Sequence, residues 1–224
     1  MLKIQKQTNI KNIKWCVWHH FGGLGRDPYA STRHLTLKHI ENAHRARYPG
    51  FLSRLNRSPV LYTWIIFADG SFVQTRYIGE ETGATRGHNR DAVHGCFAGN
   101  FSRNPATGRL VDTPTDAQMA TARLLGYEVF QLGVPLARFV PHRVLDPGHT
   151  ECYGSILTDD WIRQEIGPAI LKQLTRRLKI IQQILILMKK VHILQTRKVV
   201  TKFGASDTRE CIGRMTYGEE SKEN

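Results

Sequence analysis

The segment IKWCVWHH, residues 13–20, decides the fold prediction. Its first six residues include two Trp, a Val and an Ile, a composition typical of a short strand buried in a sheet. The strand ends in His19 and His20. Because the end of a strand holds a side chain rigidly, His19 is a candidate functional residue.

Strands and helices alternate along the following 150 or so residues. They are predicted as a helix near 33–47, a hairpin over 61–76, a strand at 92–97, a helix over 115–132 and a strand at 139–140. The hairpin turns at Asp69-Gly70, and Thr115 with Gln118 forms a capping-box pattern. This alternation predicts a single α/β domain over residues 13–168.

The charge is high and unevenly distributed. The chain has 32 Lys and Arg against 19 Asp and Glu, a net charge of +13. Residues 167–206 contain nine of the basic residues and no acidic one. This balance indicates an anionic partner, which is a nucleic acid, an acidic membrane surface or an anionic wall polymer. Charge alone does not choose among them.

The basic segment has helical periodicity. Apolar residues recur every three or four positions at Leu171, Leu174, Leu178, Ile181, Leu185 and Met188. Residues 169–202 are therefore predicted to form a basic amphipathic helix, between the domain and a polar tail over 203–224. The sequence leaves three roles open for this helix. It could pack on its own domain, associate with a second copy, or lie on an anionic membrane. Residues 1–12 are predicted to be an N-terminal extension.

Three dispersed residues have the chemistry of a zinc site. His19 and His142 each follow a predicted strand, and Cys152 lies ten residues beyond His142 in a turn-rich loop. Two imidazoles and a thiolate suit zinc and leave its fourth position open for water, as in catalytic sites. His94 and Cys96 lie two apart on one strand face, where packing under the sheet is favoured over a second metal pair.

Five ordered motifs carry a resemblance to a known family. They are VWHHFGG at 17–23, the hairpin from Leu61-Tyr62 to Arg76, the stretch from Gly83 to HGCFAGNF at 94–101, PTDAQ at 114–118, and PHRVLDPGHTEC at 141–152. Over residues 15–166 the chain resembles the zinc-dependent N-acetylmuramoyl-L-alanine amidases of the type 2 family, which includes phage endolysins and peptidoglycan recognition proteins. The resemblance implies a central mixed β-sheet flanked by helices.

The resemblance also implies an activity and its residues. His19, His142 and Cys152 match the zinc ligands, and Tyr62 and Thr150 match residues that stabilise the oxyanion when an activated water attacks the amide between N-acetylmuramic acid and L-alanine. The chain departs from the family where Tyr153 replaces the usual Pro after the Cys. The candidate substrate contacts are His20, Arg86, Asn89 and His149, although His20 should point away from His19 and order a loop or pack.

The favoured hypothesis is therefore a phage or prophage endolysin that contains Zn²⁺ and cleaves bacterial peptidoglycan. The alternative is a recognition protein of the same fold that binds peptidoglycan without cutting it. Binding to nucleic acid is not expected, since no recognition motif accompanies the charge. The sequence starts without the apolar stretch of a signal peptide, so the protein is expected in the cytoplasm until it is released to the cell wall.

Overall fold

A five-stranded sheet forms the centre of the computed structural model, which describes residues 4–7, 12–23 and 27–216, with side chains as far as 196. The strands are β1 (Trp15–His20), β2 (Trp64–Ile66), β3 (Phe72–Gln74), β4 (Ala92–Phe97) and β5 (Phe139–Pro141). Their order across the sheet is β3-β2-β4-β1-β5, with β3 antiparallel and the other pairs parallel. The predicted mixed sheet is confirmed.

The predicted hairpin forms with shorter strands than expected. Strands β2 and β3 have three residues each, although the pattern extended over residues 61–67 and 71–76. The ladder stops because the backbone N–H groups of Thr75 and Arg76 both donate to the carbonyl of Thr63, at 2.9 and 3.3 Å. Two residues of one strand then oppose one of the other, which ends regular pairing.

Four α-helices accompany the sheet in the described residues: α1 (Leu37–Arg47), α2 (Asp116–Phe130), α3 (His142–Leu145) and α4 (Trp161–Thr216). A 3₁₀ turn at Leu136–Arg138 precedes β5. The predicted capping box is confirmed. Thr115 Oγ1 accepts from the backbone N–H of Gln118, and Gln118 Oε1 accepts from the backbone N–H of Thr115, both at 3.0 Å. Gln118 also donates to the carbonyls of Ile66 and Ala98, which ties α2 to the ends of β2 and β4.

Helices cover both faces of the sheet. On one face, Ile40 of α1 packs in a buried cluster with Ile65 and Cys96. On the other, Phe97 lies in edge contact with Trp161 at the start of α4, with ring centroids 6.2 Å apart. Alternate residues of a strand point to opposite faces, so the sheet has apolar packing on both faces. The carboxyl ends of the parallel strands are the part of the sheet that remains for polar residues.

Helix α4 is continuous through Pro168, and the chain divides within it into two compact units, residues 1–171 and 172–224. In the second unit, the large apolar side chains from Leu178 to Leu194 are 49% to 62% exposed. Among the described residues no helix is long and apolar enough to cross a membrane. Of the predicted extension and tail, residues 1–3, 8–11 and 217–224 lie outside the described part of the chain.

Candidate metal centre

His19 and His142 meet at one edge of the sheet because their strands run parallel and end together. Strand β1 lies between β4 and β5, and Trp18 pairs with Pro141, so His19 and His142 each come one residue later at the same level. The imidazole of His19 is buried, and its ring centroid lies 4.7 Å from that of His142. The carboxyl ends of parallel strands are a common location for functional groups.

Cys152 reaches this edge on the loop after α3. Its carbonyl accepts a hydrogen bond from the backbone N–H of Arg143 at 2.9 Å, and its Sγ accepts from the backbone N–H of His20 at 3.4 Å. The first bond ties the loop to α3, and the second ties the sulfur to the end of β1. The thiol is thereby fixed beside His19, with Sγ 3.6 Å from His19 Nδ1.

The donor set and its spacing fit a zinc ion. One ligand atom from each of His19, His142 and Cys152 lies within 4.8 Å of the others. Tetrahedral zinc, with bonds of about 2.0 Å to nitrogen and about 2.3 Å to sulfur, separates N and S ligands by about 3.5 Å. The distance between His19 Nδ1 and Cys152 Sγ is 3.6 Å. The buried Nε2 of His142 has no hydrogen-bond partner among the described residues, although such atoms are normally paired.

Burial sets the protonation of the three residues. It lowers the pKa of His19 and His142 and raises the pKa of the Cys152 thiol to about 12, because a charge is poorly solvated here. The two imidazoles are therefore neutral, which is the form that binds a metal. The thiol would lose its proton on binding, because a divalent cation deprotonates a coordinating thiol.

A second buried histidine lies behind His19. The Nε2 atom of His19 is 3.0 Å from Nδ1 of His94, and Nε2 of His94 is 3.2 Å from the carbonyl oxygen of His88. Burial lowers the pKa of His94 to about 3, so this ring is neutral as well. Both nitrogens of His94 already have partners, which leaves none for a second metal pair with Cys96.

Tyr62 forms part of the cavity wall beside His19, with ring centroids 4.9 Å apart. The preceding segment is held by the buried guanidinium of Arg76, which donates to the carbonyl of Val60 at 2.7 Å and pairs with Glu80 at 3.2 Å. Burial raises the pKa of the Tyr62 hydroxyl, and the neighbouring thiols of Cys96 and Cys152 raise it further. The hydroxyl therefore stays protonated and is a hydrogen-bond donor.

Thr150 also lines the cavity, two residues before Cys152. Its Oγ1 accepts a hydrogen bond from the Cys152 amide at 3.1 Å, so its own hydroxyl proton is available to donate into the cavity. The cavity has a volume of about 530 Å³ and contains the metal-ligand candidates, Tyr62 and Thr150 in its lining. The structure thus brings five of the residues predicted from the sequence into one site.

The four candidate substrate contacts separate into two groups. His20 and His149 line the cavity. The ring of His20 is turned toward the 99–101 loop, where Nδ1 accepts from the Phe101 amide at 2.9 Å, so its ring serves to order that loop. Arg86 and Asn89 are not in the cavity lining, and Asn89 Oδ1 accepts from the Thr85 amide at 2.9 Å within its own loop.

Sequence reasoning did not assign roles to several residues that the structure places at the site. Arg47 and Asp146 line the cavity, and Arg143 holds the loop that carries Cys152. Asp146 follows His142 by four residues, and its Oδ2 lies 3.9 Å from His142 Nε2. The spacing of four on a helix was the available signal for Asp146. Arg47 and Arg143 had no comparable signal, since single arginines are common on surfaces.

Comparisons with known proteins support the fold. Neither a protein-family model nor a curated protein sequence matches the chain. The N-acetylmuramoyl-L-alanine amidase LysC from Clostridium intestinale URNW is 19% identical, with a TM-score of 0.53 over 75% of this chain and 99% of that one. The Ph2119 endolysin from a Thermus scotoductus MAT2119 bacteriophage is 16% identical, with a TM-score of 0.51 over 72% and 89%. The protein has the fold of these amidases and endolysins.

Proposed function

We propose that the protein is a zinc-dependent peptidoglycan hydrolase that cleaves the amide bond between N-acetylmuramic acid and L-alanine, as a phage or prophage endolysin. The observation that carries the proposal is the group of His19, His142 and Cys152 at the wall of an open cavity. The fold shared with an N-acetylmuramoyl-L-alanine amidase and an endolysin supports the choice of substrate. We therefore propose bacterial peptidoglycan as the partner and the cell wall as the place of action.

His19, His142 and Cys152 would hold the metal. A bound zinc ion supplies a water of lowered pKa and polarises a carbonyl oxygen, which are the two requirements for amide hydrolysis near neutral pH. The N–H of His20 donates to Cys152 Sγ and favours the thiolate that such an ion requires. The neutral imidazoles add no positive charge, so a zinc ion and its three ligands would together carry a charge of about +1.

Tyr62 and Thr150 both line the cavity and supply hydroxyl donors. The thiol of Cys96 is a neighbour of the Tyr62 hydroxyl, and a thiol is a weak acceptor. A negatively charged oxygen is a far better acceptor. The Tyr62 hydroxyl would therefore donate its hydrogen bond to the oxyanion of the substrate as that charge forms. Thr150 keeps the Cys152 amide as its donor and directs its own proton to the same charge.

Digestion of purified sacculi tests the proposal. The full-length protein should release new α-amino groups of L-alanine and no new reducing sugar ends, as measured by mass spectrometry of the soluble products. Cys152→Ser should abolish release, while Cys16→Ser, a buried cysteine away from the cavity, serves as the matched control. New reducing ends would contradict the amidase mechanism. Tight binding to sacculi without any product would favour the alternative, a recognition protein that does not cut.

Helix α4 carries a separate proposal, namely that residues 172–196 attach the protein to an anionic membrane surface. At 100° per residue, Lys172, Arg176, Lys179, Gln183 and Lys190 fall within an arc of about 60°. The remaining circumference is mainly apolar and exposed, although Arg177, Lys189 and His192 also lie on it. A basic arc beside an apolar face, without any acidic residue, matches a surface of acidic headgroups over acyl chains.

Cosedimentation of the full chain with vesicles tests this attachment. Binding should be strong to phosphatidylglycerol vesicles and weak to phosphatidylcholine vesicles. Leu185→Glu, in the apolar face, should reduce it at least tenfold, while Gln182→Glu, with the same charge change outside the centre of that face, should reduce it much less. Equal binding to both lipids would contradict the proposal. A dimer mass together with no vesicle binding would indicate self-association instead.

A further inference from the structure

The two ring nitrogens of His19 have different neighbours. Nδ1 lies 3.6 Å from Cys152 Sγ and therefore on the metal side of the ring, whereas Nε2 lies 3.0 Å from Nδ1 of His94. A neutral imidazole carries one proton, and the nitrogen without it is the one that binds a metal. Which of the two nitrogens carries the proton therefore decides whether His19 is prepared to act as a ligand.

The surroundings of His94 determine that proton's position. His94 Nε2 is 3.2 Å from the carbonyl oxygen of His88, and a carbonyl oxygen only accepts hydrogen bonds. The His94 proton must then be on Nε2, so His94 Nδ1 is an acceptor. It follows that His19 donates from Nε2, and that the lone pair of His19 Nδ1 faces Cys152. The opposite arrangement would place an unprotonated nitrogen against the His88 carbonyl.

The other end of this chain of hydrogen bonds is rigid. His94 is fully buried in β4, and its backbone N–H donates to Thr63 Oγ1 at 3.0 Å while its carbonyl accepts from the Thr63 amide at 2.8 Å. The His88 amide donates to the Thr85 carbonyl at 3.1 Å, and the His88 ring pairs with Asp91. The acceptor for His94 is therefore held in place by its own loop.

We propose that His94 is a positioning residue that holds His19 in the tautomer with the proton on Nε2, so that Nδ1 is the metal-binding atom, and that the His88 carbonyl anchors this arrangement. The inference rests on the proposed function in one respect only, namely that His19 is a ligand of a metal ion. His94 does not contact substrate. Outer partners of this kind fix ring orientation and contribute about 10- to 100-fold to metal affinity.

Nitrogen-15 NMR of the histidine rings, together with zinc competition against a chromophoric chelator, tests the proposal without peptidoglycan. In the metal-free wild type, His19 and His94 should both carry the proton on Nε2, and zinc should shift the His19 Nδ1 resonance. His94→Leu removes the acceptor and should weaken zinc binding about 10- to 100-fold. His94→Gln can accept from His19 and donate to His88, so it should restore affinity to within a few-fold of the wild type.

Val93→Ala is the matched control, because Val93 is equally buried in β4 but points to the other face of the sheet. It should lower stability without changing zinc affinity. A proton on Nδ1 of His19 in the wild type, or unchanged zinc affinity in a folded His94→Leu variant, would overturn the proposal even if sacculi are cleaved. Normal tautomers and zinc binding without amide cleavage would instead overturn only the proposed function, and a wild type that binds no zinc would overturn both.

Discussion

The guanidinium of Arg143 donates a hydrogen bond to the carbonyl oxygen of Gly154 at 2.7 Å. Arg143 follows the ligand candidate His142, and Gly154 lies two residues beyond the ligand candidate Cys152. The same side chain also bonds the carbonyl of Leu157 and the carboxylate of Asp159. One arginine therefore ties together the two segments that carry the ligand candidates from the C-terminal part of the domain.

Replacing Arg143 with Met should loosen this loop. Hydrogen bonds from a charged donor contribute about 1.5–3 kcal/mol each, and the partial exposure of the guanidinium reduces this, so we expect a loss of about 2 kcal/mol in the free energy of unfolding. Zinc affinity should fall about tenfold because Cys152 is less firmly placed. Urea unfolding and chelator competition measure the two effects. Arg109→Met, on an exposed loop, should change neither, and unaltered zinc affinity in Arg143→Met would contradict this role.

Removing the metal should affect both activity and stability. Treatment with a chelator should stop amide release from sacculi, and added Zn²⁺ should restore it. Because a ligand that binds only the folded state stabilises it, zinc at 100 times its dissociation constant should add about 2.7 kcal/mol to the free energy of unfolding. Cys152→Ser should lose most of this gain in thermal unfolding. A chelator already saturated with Zn²⁺ is the control, and full activity in metal-free protein would refute the metal's role.

Tyr62→Phe should separate chemistry from metal binding. Loss of one oxyanion donor typically lowers kcat by about 10²–10³. The ring remains to pack beside His19 and His44, so zinc affinity and stability should stay close to those of the wild type. Initial rates of amine release and chelator competition provide the measurements. A variant with wild-type rates would show that the hydroxyl plays no part in the slow step.

Acid should destabilise the fold partly through His44. Burial lowers the pKa of this histidine to about 4, and its Nδ1 accepts from the Leu61 amide at 3.3 Å. The unfolded chain therefore binds a proton near pH 6.5 that the folded protein does not bind until about pH 4. The stabilisation is present above pH 6.5 and is lost as the pH falls toward 4, by about 2 kcal/mol between pH 7 and pH 5.

The variant His44→Gln keeps an acceptor for Leu61 but does not titrate in this range. Its urea-unfolding free energy should decrease less steeply than that of the wild type between pH 7 and pH 5. Burial also lowers the pKa of His20 to about 4, so part of the pH dependence remains in the variant. Parallel curves for the two proteins would show that His44 contributes nothing to acid sensitivity.

Gly95→Ala should destabilise the centre of the sheet. A Cβ at this position would lie 2.4 Å from Nε1 of Trp64 and 2.8 Å from the ring of Trp18, both of which are fully buried. Overpacking of this kind costs about 1–3 kcal/mol. Gly22→Ala is the comparison, because its Cβ would meet only the ring of His20, at an ordinary contact distance of 3.6 Å. Thermal unfolding should rank Gly95→Ala well below Gly22→Ala.

Local patterns predicted much of the fold. The buried residues before His19 predicted strand β1, although the strand begins at Trp15 and not at Ile13. The pair Thr115 and Gln118 predicted the start of α2. Helix α1 starts at Leu37, four residues later than expected, and Thr36 is its N-cap. These elements could be predicted because hydrophobic periodicity, helix caps and turns depend on residues that are close together in sequence.

The contact between His94 and His19 could not be predicted from the sequence in the same way. His94 meets His19 because β4 and β1 are neighbours in a register that pairs His19 with Cys96 and Val17 with His94. A shift of one residue would turn His94 to the opposite face. Neighbour order and register depend on contacts between residues 75 apart, which a single sequence does not reveal. The sequence therefore predicted the ligand candidates and not the histidine that contacts one of them.

The position of β1 between β4 and β5 has a consequence for synthesis on the ribosome. The strand that carries His19 acquires its last neighbour only when residues 139–141 have left the exit tunnel, and Cys152 follows eleven residues later. His19 and Cys152 are 133 residues apart, so every nascent chain short of Cys152 has an incomplete ligand set. Under the proposed function, chains that end before Cys152 would therefore carry no hydrolase activity.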